Sequence, residues 1–357
     1  MFEVMDLILY IRIMWRVLGL RRVRLRFVPG LEVEFVDRVR GIKQVYEFAE
    51  RGTRYPIVVY GPEGCGKTAW LKQAIEVLKE LGFETIYVNP LHKEFITYTD
   101  VRELTQKFVN VVTEAAEVSV GIRLAMLATL AIKELLSRWG RKRIALLVDE
   151  VFQAIGLDRA EVYVKELLGI IEYPPANYEN IVIIVATSEG ITRWRIGRHR
   201  WAWLIPMWNM CRDGFKELYD RLPSPKPDFE GVWELTGGNP NMLSHLYQVN
   251  WDSNILIKDV IGWRKLTPTF ISRWRSWLEK AVEDPDNLWS PEVPEELINE
   301  LEVKNLITYF LNDRDLRLWI DEPPPQKDLE LGVGKYVAWQ TPIHREVVKK
   351  ALEMYKP

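Results

Sequence analysis

Residues Gly61, Pro62, Glu63, Gly64, Cys65, Gly66, Lys67 and Thr68 have the types and spacing of a phosphate-binding loop, GxxxxGK[ST]. Glycines let successive backbone N–H groups converge on one point, and a helix starting there adds its partial positive charge. Lys67 can reach the β- and γ-phosphates of a nucleoside triphosphate, and the Thr68 hydroxyl can ligate Mg²⁺. A second pair, Asp149 and Glu150, closes an apolar run that begins at Arg143. A carboxylate at such a strand end can hold Mg²⁺ through its water shell, and its neighbour can orient or deprotonate an attacking water. Thr187 and Ser188, polar after another apolar run, could hydrogen-bond the γ-phosphate or that water, or simply end a strand.

These residues need elements to position them. Residues 55–60 read as a buried strand and 69–81 as a helix ending at Gly82, with Ala69 its first residue after the loop. Strand, glycine loop and helix in that order are the context the motif requires. Residues 84–89, 143–150, 180–187 and 201–207 read as further strands, and 100–117, 120–139, 162–171 and 210–222 as helices. This alternation predicts an α/β domain with a mostly parallel sheet flanked by helices. One extra strand between the phosphate loop and the acidic strand, with a glutamate beside the aspartate, is the layout of ATP hydrolases rather than nucleotide kinases.

The Pro/Ser cluster at 223–227 marks a boundary. Beyond it, 223–285 reads as a small helical domain and 286–357 as a winged helix. In the latter, 295–306 and 343–354 are helices, and 316–320 and 335–339 are the wing strands. Residues 1–30 form an apolar and basic extension before the 31–222 domain. That extension has no uninterrupted run able to span a bilayer, and its arginines follow the apolar stretch instead of preceding it as in a signal peptide. A docked helix or oligomer contact, and an anchor on a membrane surface, both fit it.

Composition narrows the field. Apolar residues make up 48% of 357, enough for a sizeable core, and a net charge of −2 gives no global field for nucleic acid. Two cysteines exclude a disulfide framework and point to a reducing, cytoplasmic setting. None of the four histidines has a companion at zinc spacing. Arginines and tryptophans interleave over 193–203, which could stack on bases, pack as a cation–π loop, or reach a neighbouring subunit's nucleotide.

The chain resembles the archaeal ATPase family of the STAND class, P-loop NTPases related to AAA+ ATPases. Phe35-Val36-Asp37-Arg38 looks like that family's opening motif, and Gly61–Thr68 and Leu146–Glu150 match its two nucleotide motifs. Leu235-Thr-Gly-Gly-Asn-Pro-Asn-Met-Leu243 matches the Gly-Gly-x-Pro-x-x-Leu of its helical lid. The resemblance implies ATP or ADP with Mg²⁺ as ligands, Thr68 and Asp149 on the metal, and Lys67 and Glu150 as the catalytic pair. It further implies adenine held near Val36 and Arg38, and Pro240 over the base. Two departures stand out: Val39 where the family often has an acid, and Thr341-Pro342 where Asp-Pro is usual.

The expected activity is a slow, Mg²⁺-dependent ATPase that serves as a nucleotide-controlled switch with a protein partner, with a homo-oligomer also conceivable. The alternative is a DNA-binding AAA+-type ATPase of replication, repair or mobile elements, using its winged helix or the 193–203 loop. Against it, residues 286–333 carry many more acids than bases.

Overall fold

The computed structural model describes residues 21–98, 143–188, 193 and 195–356, together with 126, 129, 130 and 133. The readings made for residues 1–20, for the helix at 100–117 and for most of that at 120–139 lie outside the described residues, as does Trp194.

An antiparallel hairpin comes first, β1 (Arg24–Val28) and β2 (Leu31–Glu34). Helix α1 (Val39–Arg51) follows, its buried Gly41, Ile42, Val45 and Ala49 spaced three and four apart along one face. Then come β3 (Ile57–Tyr60), α2 (Lys67–Glu80), β4 (Glu84–Asn89), β5 (Glu94–Tyr98) and β6 (Arg143–Asp149). Helices α3 (Val151–Ile155) and α4 (Leu157–Glu172) and strands β7 (Asn180–Thr187) and β8 (Trp203–Pro206) complete this half.

Six of these strands form one sheet in the order β5-β4-β6-β7-β3-β8, with β5 antiparallel at its edge and the other pairings parallel. The strands read as continuous apolar runs because both faces are covered. Alternate residues of β6 go to opposite sides. Ile144, Leu146 and Val148 pack with Phe152, Tyr163 and Leu167 of α3 and α4. Ala145 and Leu147 pack with Trp70, Leu71 and Ala74 of α2 and with Val45 of α1. β4 lies between the phosphate loop and the acidic strand only in sequence; in the sheet, β7 separates β3 from β6.

The rest of the chain is mostly helical: α5 (Arg212–Asp220), α6 (Phe229–Thr236), α7 (Pro240–Gln248), α8 (Ser253–Trp263), α9 (Pro268–Glu283), α10 (Glu295–Val303) and α11 (Pro342–Met354). Side chains of Asp228, Asn239, Asp252 and Thr267 cap the starts of α6 to α9, with Pro240 and Pro268 in first-turn positions. All seven helices share one core, with Phe215, Val232, Leu243, Val260, Ile271, Leu301 and Val347 among its members. The core therefore runs through both stretches that the sequence reading divides at residue 285, and it includes α5, which precedes the proline cluster. The hairpin reaches it too: Val33 belongs to this core, whereas Leu25 packs on the sheet side.

The expected pairing of 316–320 with 335–339 is not what forms. Strand β9 (Ile307–Tyr309) pairs antiparallel with β10 (Val337–Trp339). Residues Leu316–Leu318 make a 3₁₀ turn, capped by Asp315 accepting from the Arg317 N–H at 2.9 Å. Ile320 then bridges in parallel to Met207, and its N–H donates to Pro206 O at 2.8 Å, so this segment is strapped onto the sheet beyond β8.

Candidate functional site

The phosphate-binding sequence sits between the end of β3 and the start of α2, with Gly66 as the left-handed N-cap at φ 104°. Tight packing explains two of its glycines. A Cβ on Gly61 would lie 1.9 Å from Met207 O, and one on Gly64 would lie 2.2 Å from Asn241 Cβ. Lys67 is 3% exposed, and its ammonium donates to the carbonyls of Gly61 (3.0 Å) and Pro62 (2.9 Å), the loop's own first two residues. Cys65 is fully buried beneath the loop, and Ala69 packs against the α1–α2 side of the sheet.

Strand register brings the acids to the loop. Val88 pairs with Val148, and Asp149 with Ala186, so Asp149 ends its strand between the tips of β4 and β7. Three groups donate to one oxygen, Asp149 Oδ2: Thr68 Oγ1 at 2.7 Å, Tyr87 OH at 3.1 Å and Asn89 Nδ2 at 3.2 Å. The other oxygen, Oδ1, is buried without a hydrogen-bond partner. Burial, then the charge of Glu150, pushes the Asp149 carboxyl up to about 6, while the Thr68 and Tyr87 hydrogen bonds pull it down. A buried, unpartnered carboxylate oxygen beside a threonine hydroxyl suits a hard divalent cation, and Mg²⁺ takes such sparse protein ligation when phosphates supply the rest. Thr68 and Asp149 would hold it.

Glu150 starts α3 in a left-handed conformation, φ 50°, with its N–H on Ala186 O at 3.0 Å. Its carboxylate is held at both oxygens by Ser188, through the hydroxyl and through the backbone N–H at 3.2 Å. Thr187, the last residue of β7, is fully buried.

The loop is gripped from the C-terminal half. Glu63 N–H donates to Gln340 Oε1 (3.0 Å), and Glu63 O accepts from Asn239 Nδ2 (2.9 Å). The Glu63 carboxylate accepts from Arg264 Nη2 (2.8 Å) and Asn305 Nδ2 (3.4 Å). Gly64 O accepts from the N–H of Asn241, and Pro240 comes within 4.0 Å of where a Gly66 Cβ would be. Behind Arg264, His344 Nε2 lies 3.3 Å from the guanidinium and Nδ1 lies 2.8 Å from Thr341 Oγ1. Burial, then Arg264, drives the His344 imidazole down to about 3. It is therefore neutral, accepting from Arg264 and donating to Thr341.

The two residues expected near adenine, Val36 and Arg38, are both buried. Val36 is buried in the C-terminal core with Met210 and Phe215. Arg38 is 2% exposed; its guanidinium donates to Asp321 Oδ2 (3.0 Å), Cys65 O (2.6 Å) and Trp208 O (2.8 Å), bracing the underside of the phosphate loop. In the 193–203 segment, Arg193 pairs with Glu302, Arg195 with Asp158 and Arg198 with Glu161, while His199 stacks on Trp201 at 4.0 Å. Those three arginines are paired within the chain, while Trp203 is half exposed.

Sequence reasoning missed Tyr87, Asn89, Arg264, Asp321 and Gln340. Only the first two left a local sign: polar hydrogen-bonding groups two apart at the end of a strand, flanking the apolar Val88.

Known structures similar to this chain have low identity. The Aeropyrum pernix ORC1 protein in complex with DNA is 16% identical, covering 90% of this chain and 93% of its own, at a TM-score of 0.38. A point mutant of Thermotoga maritima RuvB is 15% identical, covering 76% and 87%, at 0.37. AMPPCP-bound DnaA from Aquifex aeolicus is 16% identical, covering 72% and 73%, at 0.36. No curated protein matches. Residues 35–246 match the model of the ATPase domain predominantly from Archaea, a span holding the phosphate loop, both acids and the Gly-Gly-Asn-Pro turn, and the chain belongs to that family.

Proposed function

We propose that the chain is a slow, Mg²⁺-dependent ATP hydrolase that works as a nucleotide-controlled switch, with the helical region after β8 as a lid and the 286–357 segment as a winged-helix-like output. One observation carries this reading. Glu63, in the middle of the phosphate loop, is bonded through its N–H, its carbonyl and its carboxylate to Gln340, Asn239 and Arg264 of the C-terminal half. A ligand that reshapes the loop must act on those bonds, so phosphate occupancy and the position of the C-terminal half are linked.

Within this reading Lys67 exchanges its loop carbonyls for phosphate oxygens, and Thr68 and Asp149 hold the cation. Bound Mg²⁺ would supply charge neutralisation on the phosphates. Glu150 accepts the proton of the attacking water, after leaving its Ser188 contacts. ATP is the nucleotide, in keeping with the ATPase family the chain belongs to, and the partner is a protein surface that senses the output segment.

The test is ATP hydrolysis by the purified protein with and without MgCl₂, beside Lys67→Ala and Glu150→Gln, in the presence and absence of duplex and single-stranded DNA. Slow Mg²⁺-dependent turnover, indifferent to DNA and lost in both variants, supports the switch. Strong stimulation by DNA at low salt would replace it with a DNA-acting ATPase.

A further inference from the structure

We infer that Tyr87 and Asn89 are positioning residues for the divalent cation: by donating together to Asp149 Oδ2, they leave Oδ1 as the oxygen that serves the cation, directly or through a water of its shell. The inference rests on the proposed Mg²⁺-nucleotide reading of the site and adds to it two residues outside both nucleotide motifs.

The geometry follows from the sheet. Positions 87 and 89 are two apart on β4 and face the same side. The pairing of Val88 with Val148 sets Asn89 beside Asp149. Tyr87 and Asn89 are each 1% exposed, so their polar groups have no water to turn to. A buried phenol without a partner is costly, and a phenylalanine would fill the same space without that cost. The hydroxyl's partner is Asp149 Oδ2 at 3.1 Å. Burial, then the charge of Asp149, pushes the phenol well above its ordinary range, so it stays a neutral donor.

Asn89 is oriented from its other end. Its Oδ1 accepts the His92 N–H at 2.9 Å, which turns Nδ2 toward Asp149. With Thr68 as the third donor, Oδ2 is fully engaged by groups from β4 and α2. A carboxylate fixed by three donors on Oδ2 cannot rotate to present Oδ2 to the cation in place of Oδ1 without breaking all three. The unpartnered Oδ1 is the result, and hydrogen-bonded partners behind a metal-binding group commonly govern metal affinity by about 10- to 100-fold.

The test measures affinity for a fluorescent ADP analogue in EDTA and across a MgCl₂ titration, for the parent protein, Tyr87→Phe and Asn89→Ala. In the parent, affinity should rise with MgCl₂. In Tyr87→Phe the EDTA affinity should stay within about twofold, and the half-maximal MgCl₂ concentration should rise about tenfold. Asn89→Ala should shift the same way, and it stands as an independent test if Tyr87→Phe does not fold. An unchanged MgCl₂ midpoint in the folded variants overturns the inference. Equal loss of affinity in EDTA and in MgCl₂ also overturns it, since that is what a merely structural role would give. A parent that binds the analogue with no MgCl₂ dependence would instead sink the cation reading of Asp149, and a parent that binds none would sink the nucleotide reading.

Discussion

Arg38 and Asp321, 283 positions apart in the chain, form an ion pair in which both side chains are 3% exposed. The pair joins the segment before α1 to the strap that follows β9, and Gly41 N–H and Asp321 Oδ1 add a further bond at 3.2 Å. Removing one partner leaves a buried charge without compensation. Asp321→Ala should therefore lower the unfolding free energy by about 3–5 kcal/mol, measured by urea denaturation. A loss below about 1 kcal/mol would mean that Arg38 is solvated in solution.

The Glu63–Arg264 contact predicts a kinetic effect. Arg264→Ala removes the 2.8 Å bond to the loop carboxylate and frees His344 from its guanidinium neighbour. Dissociation of bound ADP, followed by stopped-flow, should speed up by about tenfold, the equivalent of about 1.4 kcal/mol. An unchanged off-rate would show that the grip on the loop does not hold the nucleotide-bound state.

Gly64 permits that grip through its size. With φ +75° and a would-be Cβ 2.2 Å from Asn241 Cβ, Gly64→Ala forces either the loop or the start of α7 to shift. Nucleotide affinity should drop by at least about tenfold while the fold survives, as judged by circular dichroism, because loop strain is local and on the order of 1–3 kcal/mol. Retained affinity would mean that α7 can retreat freely.

Asp37 sets a pH dependence. Burial, then the charge of Asp321, raises its carboxyl from 3.8 to about 6. Between those values the folded chain keeps a proton that the unfolded chain has released, so this group's stability is present below about pH 4 and lost as pH rises through about 6. Asn tolerates the left-handed φ of 57° at this position. Asp37→Asn should raise the melting temperature at pH 7, with a gain on the order of 1–3 kcal/mol that shrinks to nothing near pH 4. A gain independent of pH would assign the effect to packing.

What could be read from the sequence was what is contiguous. The phosphate loop, the Asp149-Glu150 pair and the strands around them are local patterns whose neighbours in the fold are also neighbours in sequence or in one sheet. Most of the grip on the loop was not legible: Asn239 lies in the Gly-Gly-Asn-Pro motif, but Arg264 and Gln340 lie 201 and 277 residues from Glu63 and carry no local signature. The wing strand was misplaced for a physical reason. Leu316-Arg-Leu-Trp-Ile320 alternates like a strand, but Asp315 caps a turn there and Ile320 bonds to Pro206 in the other half. The true strand, Ile307–Tyr309, begins directly after the helix reading of 295–306 and is too short to stand out. Asn305 ends that helix at φ 50°, a left-handed stop that asparagine often provides.

Because α5 belongs to the C-terminal core, the chain does not divide cleanly at the proline cluster. Phe215, Leu218, Tyr219 and Leu222 lose most of their core if the chain is cut at the proline cluster, keeping only Val33, Val36 and Met210 of its buried members from before the cut. A fragment ending at 222 would carry an apolar helix stripped of most of its cover, and aggregation is its expected fate. The chain passes from the sheet into this core ahead of α5, through the short, buried Trp208-Asn209-Met210 connector. Trp208 O receives Arg38, and Asn209 reaches both Asn239 and Gln340.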